Sequence, residues 1–201
     1  MRKAQNIVGV GLFTIAYLLI ATIFAVQTFN REFILYIGVM VVLALGVIAL
    51  HRTVTLSQRV LWGLSIWGIL HMVGGLVRVP AGWPTAGSKP VFYSWWLIPD
   101  VLKYDHVVHA FGFAIATVAC WECVRPALKK PKPSWGILLL CVIGGMGLGA
   151  FNEIVEFSAT LLIPDTNVGG YANTGWDLVA NAVGAVCAAL YIGIRESSTR
   201  A

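Results

Sequence analysis

The sequence predicts an all-α protein, a polytopic transmembrane bundle of about six helices. Its 201 residues are 58% hydrophobic and only 11% charged, and the mean hydropathy is +0.80. Soluble domains are roughly 45–50% apolar and about 25% charged, so this composition is typical of a chain embedded in lipid. Six spans of about 20 residues would use most of the chain and leave only short connectors. We therefore expect residues 1–201 to form a single transmembrane domain.

Each predicted helix is an apolar run long enough to cross about 30 Å of hydrocarbon at 1.5 Å per residue. Backbone groups in lipid must be hydrogen-bonded within the protein, and these runs lack the short alternating pattern of barrel strands, which favours helices. Within the fifth run, Gly145-x-x-x-Gly149 predicts close approach to a neighbouring helix. The six predicted helices cover residues 7–27, 33–50, 60–79, 106–124, 135–163 and 176–194.

Lysine and arginine predict the orientation of the bundle. Of these 14 residues, ten lie at helix ends on one side and four lie on the other. The positive-inside rule places the richer side, and with it both termini, in the cytoplasm. The basic residues lie between apolar runs and not on a soluble face, so the expected partner is the lipid bilayer of the cell (inner or plasma) membrane and not nucleic acid. The ten residues are Arg2, Lys3, Arg52, Arg59, Arg125, Lys129, Lys130, Lys132, Arg195 and Arg200.

Two connectors on the predicted outer side are rich in turn-forming residues. The first, about residues 80–104, contains four prolines and three tryptophans, which is typical of an interfacial loop or a short re-entrant element. The second, residues 164–175, is rich in Gly, Asn and Asp and predicts a flexible lid. Both would cover the same end of the bundle.

Acidic and histidine residues occur in the predicted outer halves of the helices. On the fourth helix, Asp105 and His109 share one face at i,i+4 spacing. On the fifth, Glu153 and Glu156 share one face at i,i+3 spacing. His106 points away from His109, so His109 is the favoured ligand of the two. These residues are expected to face one another across the bundle.

The third and sixth helices add further polar residues at a similar depth. Asp177 and Asn181 share one face of the sixth helix, again at i,i+4. His71 lies eight residues, roughly 12 Å, from the predicted outer end of the third helix at residue 79. Charged side chains within a membrane cost about 2.5–3.5 kcal/mol each on insertion scales. Several carboxylates at one depth therefore require compensation by cations or by shared protons.

Metal binding is one form of compensation that fits these residue types. Carboxylates and imidazoles that project from facing helices form the metal sites of helical bundle proteins. The sequence predicts one or two divalent metal ions, bound by Asp105, His109, Glu153, Glu156 and Asp177.

The enzyme hypothesis assigns the two remaining polar residues to catalysis. Asn181 would orient a lipid or lipid-linked substrate, and His71 would move protons. Two other hypotheses stay open. In a proton-coupled transporter, the same carboxylates would exchange protons with a solute; in a membrane scaffold, the polar contacts would only join helices.

The polar motifs also resemble those of known membrane families. The residues Asp105-x-x-x-His109, Glu153-x-x-Glu156 and Asp177-x-x-x-Asn181-x-x-Gly184 resemble the VanZ-like integral membrane family, although Glu156 stands where that family usually has Gln. The stretch 70–75, followed by the Asp105–His109 motif, resembles the uncharacterised YjdF-type inner-membrane family. These resemblances imply a membrane protein of the prokaryotic cell envelope, in the VanZ-like case one linked with tolerance of glycopeptide antibiotics.

Overall fold

The computed structural model describes residues 7–128 and 132–198. Within these ranges six helices are long and apolar enough to cross a membrane, which confirms the predicted all-α transmembrane fold. The residues Arg2, Lys3, Lys129, Lys130 and Arg200, which enter the predicted charge count, lie outside the described ranges, and the orientation of the termini stays a prediction. The helices are α1 (Val8–Gln27), α2 (Arg31–Val54), α3 (Gln58–Leu76), α4 (Tyr104–Val124), α5 (Trp135–Leu162) and α6 (Tyr171–Ser198).

Three of the helices begin at a capping side chain. The side-chain oxygens of Asn30, Ser57 and Ser134 each accept a hydrogen bond from the backbone N–H three residues further on, at 3.1–3.3 Å. Such caps satisfy one of the N–H groups that the first turn of a helix leaves without a partner. They fix the starts of α2, α3 and α5.

The start of α6 differs from the sequence prediction. The helix begins at Tyr171 and not near residue 176, so residues 171–175 are helical and do not belong to a lid. Glycine and asparagine favour turns in isolation, which made this segment resemble a connector. In the structure the Asn173 N–H donates to the Gly170 carbonyl at 2.8 Å and the first turn of α6 is formed. Asn173 consequently lies one helical turn before Asp177.

The end of α3 differs as well. The helix ends at Leu76 and not near residue 79, because Val77 adopts an extended conformation and its carbonyl accepts the Phe92 N–H at 3.2 Å. His71 therefore lies five residues from the helix end, about 8 Å, which is nearer the surface than the sequence predicts.

Helix α4 is the centre of the bundle. It packs against α3, α5 and α6, while α1 packs against α2 and α3. Glycines allow the close approach of these helices: a Cβ on Gly184 of α6 would lie 2.0 Å from the Ala110 carbonyl oxygen, and one on Gly145 of α5 would lie 2.0 Å from Thr117 Oγ1. In the predicted small-residue pattern of α5, Gly145 thus lies against α4 and Gly149 against Asn181 of α6, so α4, α5 and α6 bring their polar faces together.

Two connectors meet at one end of the bundle, which we call the connector end. The long connector (residues 77–103) contains a 3-10 turn at Phe92–Ser94 and an antiparallel hairpin of β1 (Trp96–Ile98) and β2 (Leu102–Lys103), and not a re-entrant helix. The short connector (residues 163–170) joins α5 to α6. An ion pair between Lys89 and Asp165, 3.0 Å apart, links the two connectors.

Candidate functional site

The carboxylate and imidazole groups of α4, α5 and α6 meet in one cluster near the connector end. The cluster consists of two overlapping groups of three residues, in each of which one possible ligand atom per residue lies within 4.8 Å of the others. The first group is Asp105, His109 and Asp177, and the second is His109, Glu153 and Glu156. The structure therefore brings together all five residues for which the sequence predicts metal binding. Their role as ligands stays a prediction.

The ring of His109 lies between the carboxylates of Asp105 and Glu153. Its Nε2 is 3.6 Å from Asp105 Oδ1, and its Nδ1 is 3.6 Å from Glu153 Oε1. The nearest polar contact is with Asn181, whose Oδ1 is 3.0 Å from Nδ1. A carbonyl oxygen only accepts hydrogen bonds, so Nδ1 carries the hydrogen in this arrangement and the Nε2 lone pair of the neutral ring is left available. Because Nε2 faces Asp105, it is in the first group that His109 could bind a cation.

Carboxylate oxygens of this cluster lack hydrogen-bond partners among the described residues. They are both oxygens of Glu153 and Oδ1 of Asp177. Both side chains are buried, with 8% of Glu153 and 0% of Asp177 exposed. Buried carboxylates in native proteins are usually hydrogen-bonded, paired or bound to a metal. These oxygens therefore mark a position where the cluster needs a compensating positive charge or proton.

Asparagines orient the residues of the cluster. Asn152 Nδ2 donates to Glu156 Oε1 at 2.9 Å, and Asn173 Nδ2 donates to Asp177 Oδ2 at 2.5 Å. Asn181 differs in that its Oδ1 accepts a hydrogen bond from His109 Nδ1, although the sequence analysis assigns Asn181 to substrate. It is fully buried behind the imidazole, so its position suits the orientation of His109 better. The sequence predicts a connector at Asn173 and therefore no role for it in the site, although its i,i+4 spacing from Asp177 is a signal in the sequence.

Lys103 is a second residue that the sequence analysis did not assign to the site. It ends β2, and its Nζ donates a hydrogen bond to Asn173 Oδ1 and lies 3.9 Å from Asp105 Oδ2. Only 10% of its side chain is exposed. A buried lysine almost always has a partner, and here the cation lies directly beside the acidic cluster. Its position two residues before Asp105 was the only hint in the sequence.

His71 lies outside both groups of three but close to the cluster. Its Nδ1 is hydrogen-bonded to the Tyr93 hydroxyl. Burial raises the pKa of Tyr93 well above its usual value, so this hydroxyl stays protonated and donates. His71 and Glu156 both line a crevice of about 20 Å³ between α2, α3 and α5, which is room for about one water molecule. Aromatic rings surround His71, namely those of Phe33, Tyr36, Trp67 and Tyr93.

His106 does not join the cluster, in agreement with the preference for His109. Its Nδ1 accepts the Lys103 backbone N–H at 3.3 Å. The ring lies beside those of Trp96 and Trp176, with centroids 6.5 and 6.3 Å away. His106 therefore fastens the start of α4 to the hairpin and to α6.

Glu32, in the first turn of α2, holds the short connector in place. Its Oε2 accepts the Asn167 N–H at 2.7 Å, and only 5% of the residue is exposed. Hydrogen bonds to charged groups stabilise by about 1.5–3 kcal/mol. We expect Glu32→Ala to speed amide hydrogen exchange in residues 163–170 by roughly 10-fold or more. Mass spectrometry after exchange measures this rate. The control is Glu196→Ala, which removes the ion pair with Arg125 at the opposite end of the bundle. It should leave the exchange rate of the short connector unchanged. Equal exchange in both variants would contradict the role of Glu32.

Comparison with known proteins identifies a family but no characterised relative. Neither a curated protein nor a solved structure matches the chain. The family model described as "Predicted membrane protein (DUF2238)" matches residues 10–198. This range includes the whole acidic cluster and the six helices except the first two residues of α1, although the match does not test the narrower resemblances to the VanZ-like and YjdF-type families. The chain therefore belongs to the DUF2238 family of predicted membrane proteins.

Proposed function

We propose that this protein is a metal-dependent membrane enzyme that acts on a lipid or lipid-linked substrate at the connector end. The observation that carries the proposal is that buried carboxylate oxygens of Glu153 and Asp177, close to the ring of His109, have no hydrogen-bond partner in the part of the chain that the structure describes. Two carboxylates and one imidazole are suitable ligands for a catalytic divalent ion. The predicted orientation would place this end on the extracytoplasmic side of the plasma membrane.

The first group, Asp105, His109 and Asp177, is the better candidate for binding the ion. The hydrogen bond from His109 Nδ1 to Asn181 leaves Nε2 as the ligand atom, and histidine ligands usually donate their other N–H to such a partner. Asn173 fixes Asp177 through Oδ2, and Oδ1 has no hydrogen-bond partner within residues 7–128 and 132–198. A divalent ion bound there would supply Lewis-acid chemistry.

The remaining polar groups suit proton transfer. Glu153 lies 3.6 Å from His109 on the side opposite Asp105. Glu156 shares the small crevice with His71, which in turn contacts Tyr93 of the long connector. The carboxyl of Glu153 lies across the imidazole from the proposed ion and is placed to accept a proton from His109, and His71 and Glu156 are placed to pass it on.

The packing beneath the cluster supports catalysis over transport. A proton-coupled carrier needs a polar path that continues towards the opposite end. In this region a Cβ on Gly149 would lie 2.6 Å from Asn181 Nδ2, and Gly145 and Gly184 lie against α4 at similarly short distances. Such close contact between α4, α5 and α6 leaves little space for a solute below His109.

Metal content tests the proposal. We expect the protein, purified without chelator and dialysed against Zn²⁺ or Mn²⁺, to retain about one ion per chain, because a catalytic site uses three protein ligands and one open position. Asp177→Asn should reduce the content to background, since it replaces a charged ligand with a neutral one. Elemental analysis measures both.

The matched control is Asp100→Asn, at the exposed tip of the hairpin. Asp100 has φ of +58°, a conformation that asparagine also adopts readily. This variant should bind metal as the wild type does. Wild-type protein without metal above background would refute the metal site. Cluster variants that lower only thermal stability, with metal content unchanged, would favour the scaffold function.

A further inference from the structure

A cavity of about 220 Å³ opens at the connector end beside the acidic cluster. Residues 86–89 of the long connector and 165–169 of the short connector form much of its wall. Lys103, Asp105 and Asn173 line it on the side of the cluster. Asp105 thus belongs both to the proposed metal site and to the cavity, so a ligand in the cavity would lie next to the ion.

Among the described residues, the cation of Lys103 donates to the neutral amide of Asn173 but has no carboxylate within hydrogen-bond distance. Four charged residues line the cavity, two lysines and two aspartates. Lys89 Nζ is 3.0 Å from Asp165 Oδ1 at the more exposed rim, so the charges of these two side chains compensate each other. Lys103 is buried and its carboxylate neighbour Asp105 is 3.9 Å away, beyond direct hydrogen-bond distance. If Asp105 binds a divalent ion, the positive charge of Lys103 is free to attract an anion.

We infer that this cavity binds a phosphoryl group, with Lys103 as its anchor, and that the substrate of the proposed enzyme is a phosphate ester. A phosphate offers several acceptor oxygens, and a lysine ammonium binds it as a point charge with three donors. The 3.9 Å separation of Lys103 Nζ and Asp105 Oδ2 lets one phosphate contact both Lys103 and an ion held by Asp105.

The size and lining of the cavity agree with this ligand. Drug-sized ligands occupy pockets of roughly 300–1,000 Å³, so 220 Å³ suits a phosphate with a small substituent. Ser88, Thr166 and Asn167 add hydroxyl and amide groups to the wall, and such groups donate hydrogen bonds to phosphate oxygens. The inference rests on the proposed function, whose substrate class it names.

Binding of phosphate probes to the full chain in detergent tests the inference. The probes are inorganic phosphate, dihexanoylphosphatidic acid and, as the uncharged control, dihexanoylglycerol, each titrated by calorimetry. We expect the two phosphates to bind and to compete with each other, and dihexanoylglycerol not to compete. Tighter binding of the lipid than of inorganic phosphate would identify a lipid headgroup as the source of the phosphoryl group. Equal binding of the two would identify a soluble phosphate as the source. Both results support the phosphoryl site.

Two lysine variants make the assignment specific. Lys103→Gln should weaken phosphate binding roughly 10-fold or more, because it removes a charged donor from a buried position. Lys89→Gln, at the rim, should weaken phosphate binding less than about 3-fold, since the charge of Lys89 is partly exposed and already paired with Asp165. Lys103→Arg keeps the charge and should bind phosphate better than Lys103→Gln, which separates loss of charge from misfolding. Equal losses in Lys103→Gln and Lys89→Gln, or no phosphate binding by the wild type, would overturn the inference.

Metal analysis of the same samples separates this inference from the proposed function. A protein that retains metal but does not bind phosphate would refute only the phosphoryl site. Binding of phosphate that depends on Lys103 in a protein without metal would refute the metal enzyme and keep the anion site.

Discussion

Replacing Gly184 with alanine is expected to destabilise the bundle strongly and to weaken metal binding. The added Cβ would lie 2.0 Å from the carbonyl oxygen of Ala110 and 2.7 Å from its carbon. These are backbone atoms of a neighbouring helix, so no side-chain rotation relieves the clash, and α4 and α6 must move apart. Overpacking of this kind costs about 1–3 kcal/mol, and sometimes more.

The position of Gly184 also links stability to the site. Ala110 follows His109 on α4, and Gly184 lies on the same helix as Asp177. Separation of α4 from α6 would therefore pull the His109 ring away from the Asp177 carboxylate.

The thermal unfolding of Gly184→Ala in detergent, with its metal content, measures both effects. The matched control is Gly147→Ala on α5, where no described atom beyond the adjacent residues and backbone of its own helix lies within 4 Å of the added Cβ. That change should be neutral or slightly stabilising, because alanine has the higher helix propensity. Similar unfolding temperatures for the two variants would show that the α4–α6 contact is looser than the structure indicates.

The helical architecture could be predicted because a membrane imposes simple requirements on a sequence. Long apolar runs and the need to satisfy the backbone give the number of helices and their type. The ends of helices were less predictable. A tertiary contact decides the end of α3, where the carbonyl of Val77 accepts the Phe92 N–H. At the start of α6, glycines at 169, 170 and 175 flank the first helical turn, and such residues favour a connector in isolation.

The centre of the site was predictable for the same reason, and its surroundings were not. Helical periodicity and alternating helix direction place Asp105, His109 and Asp177 at one depth and on facing sides. Tyr93 and Lys103 come from an irregular connector whose path has no sequence period, so only the folded chain shows that they reach His71 and Asp105.

Gly184 illustrates the difference between a motif and its cause. The sequence analysis included this glycine only as the last member of a resemblance to a family pattern. The structure supplies the physical reason, which is contact with the backbone of α4 one residue beyond His109.

Replacing His109 with alanine is expected to remove metal binding completely. His109 is the only residue shared by the two groups of possible ligands found among the described residues. Changes to residues that hydrogen-bond to a metal ligand typically lower metal affinity roughly 10–100-fold, so loss of a direct ligand should exceed about 100-fold. Asp177→Asn and Glu153→Gln each affect only one of the two groups, and their comparison with His109→Ala reports which group binds the ion.

The result depends on which nitrogen of His109 is available. With Nδ1 donating to Asn181, only Nε2 can bind an ion, so the first group should account for all of the metal. Asp177→Asn should then match His109→Ala, while Glu153→Gln should keep its metal. The reverse order would place the ion at Nδ1 with Glu153 and Glu156, and would require Asn181 to have turned its amide. His106→Ala is the control, because this buried histidine lies one turn away on the same helix and outside both groups. The His106→Ala variant should therefore retain metal. Equal loss of metal from the two histidine variants would show a general structural effect and not the removal of a ligand.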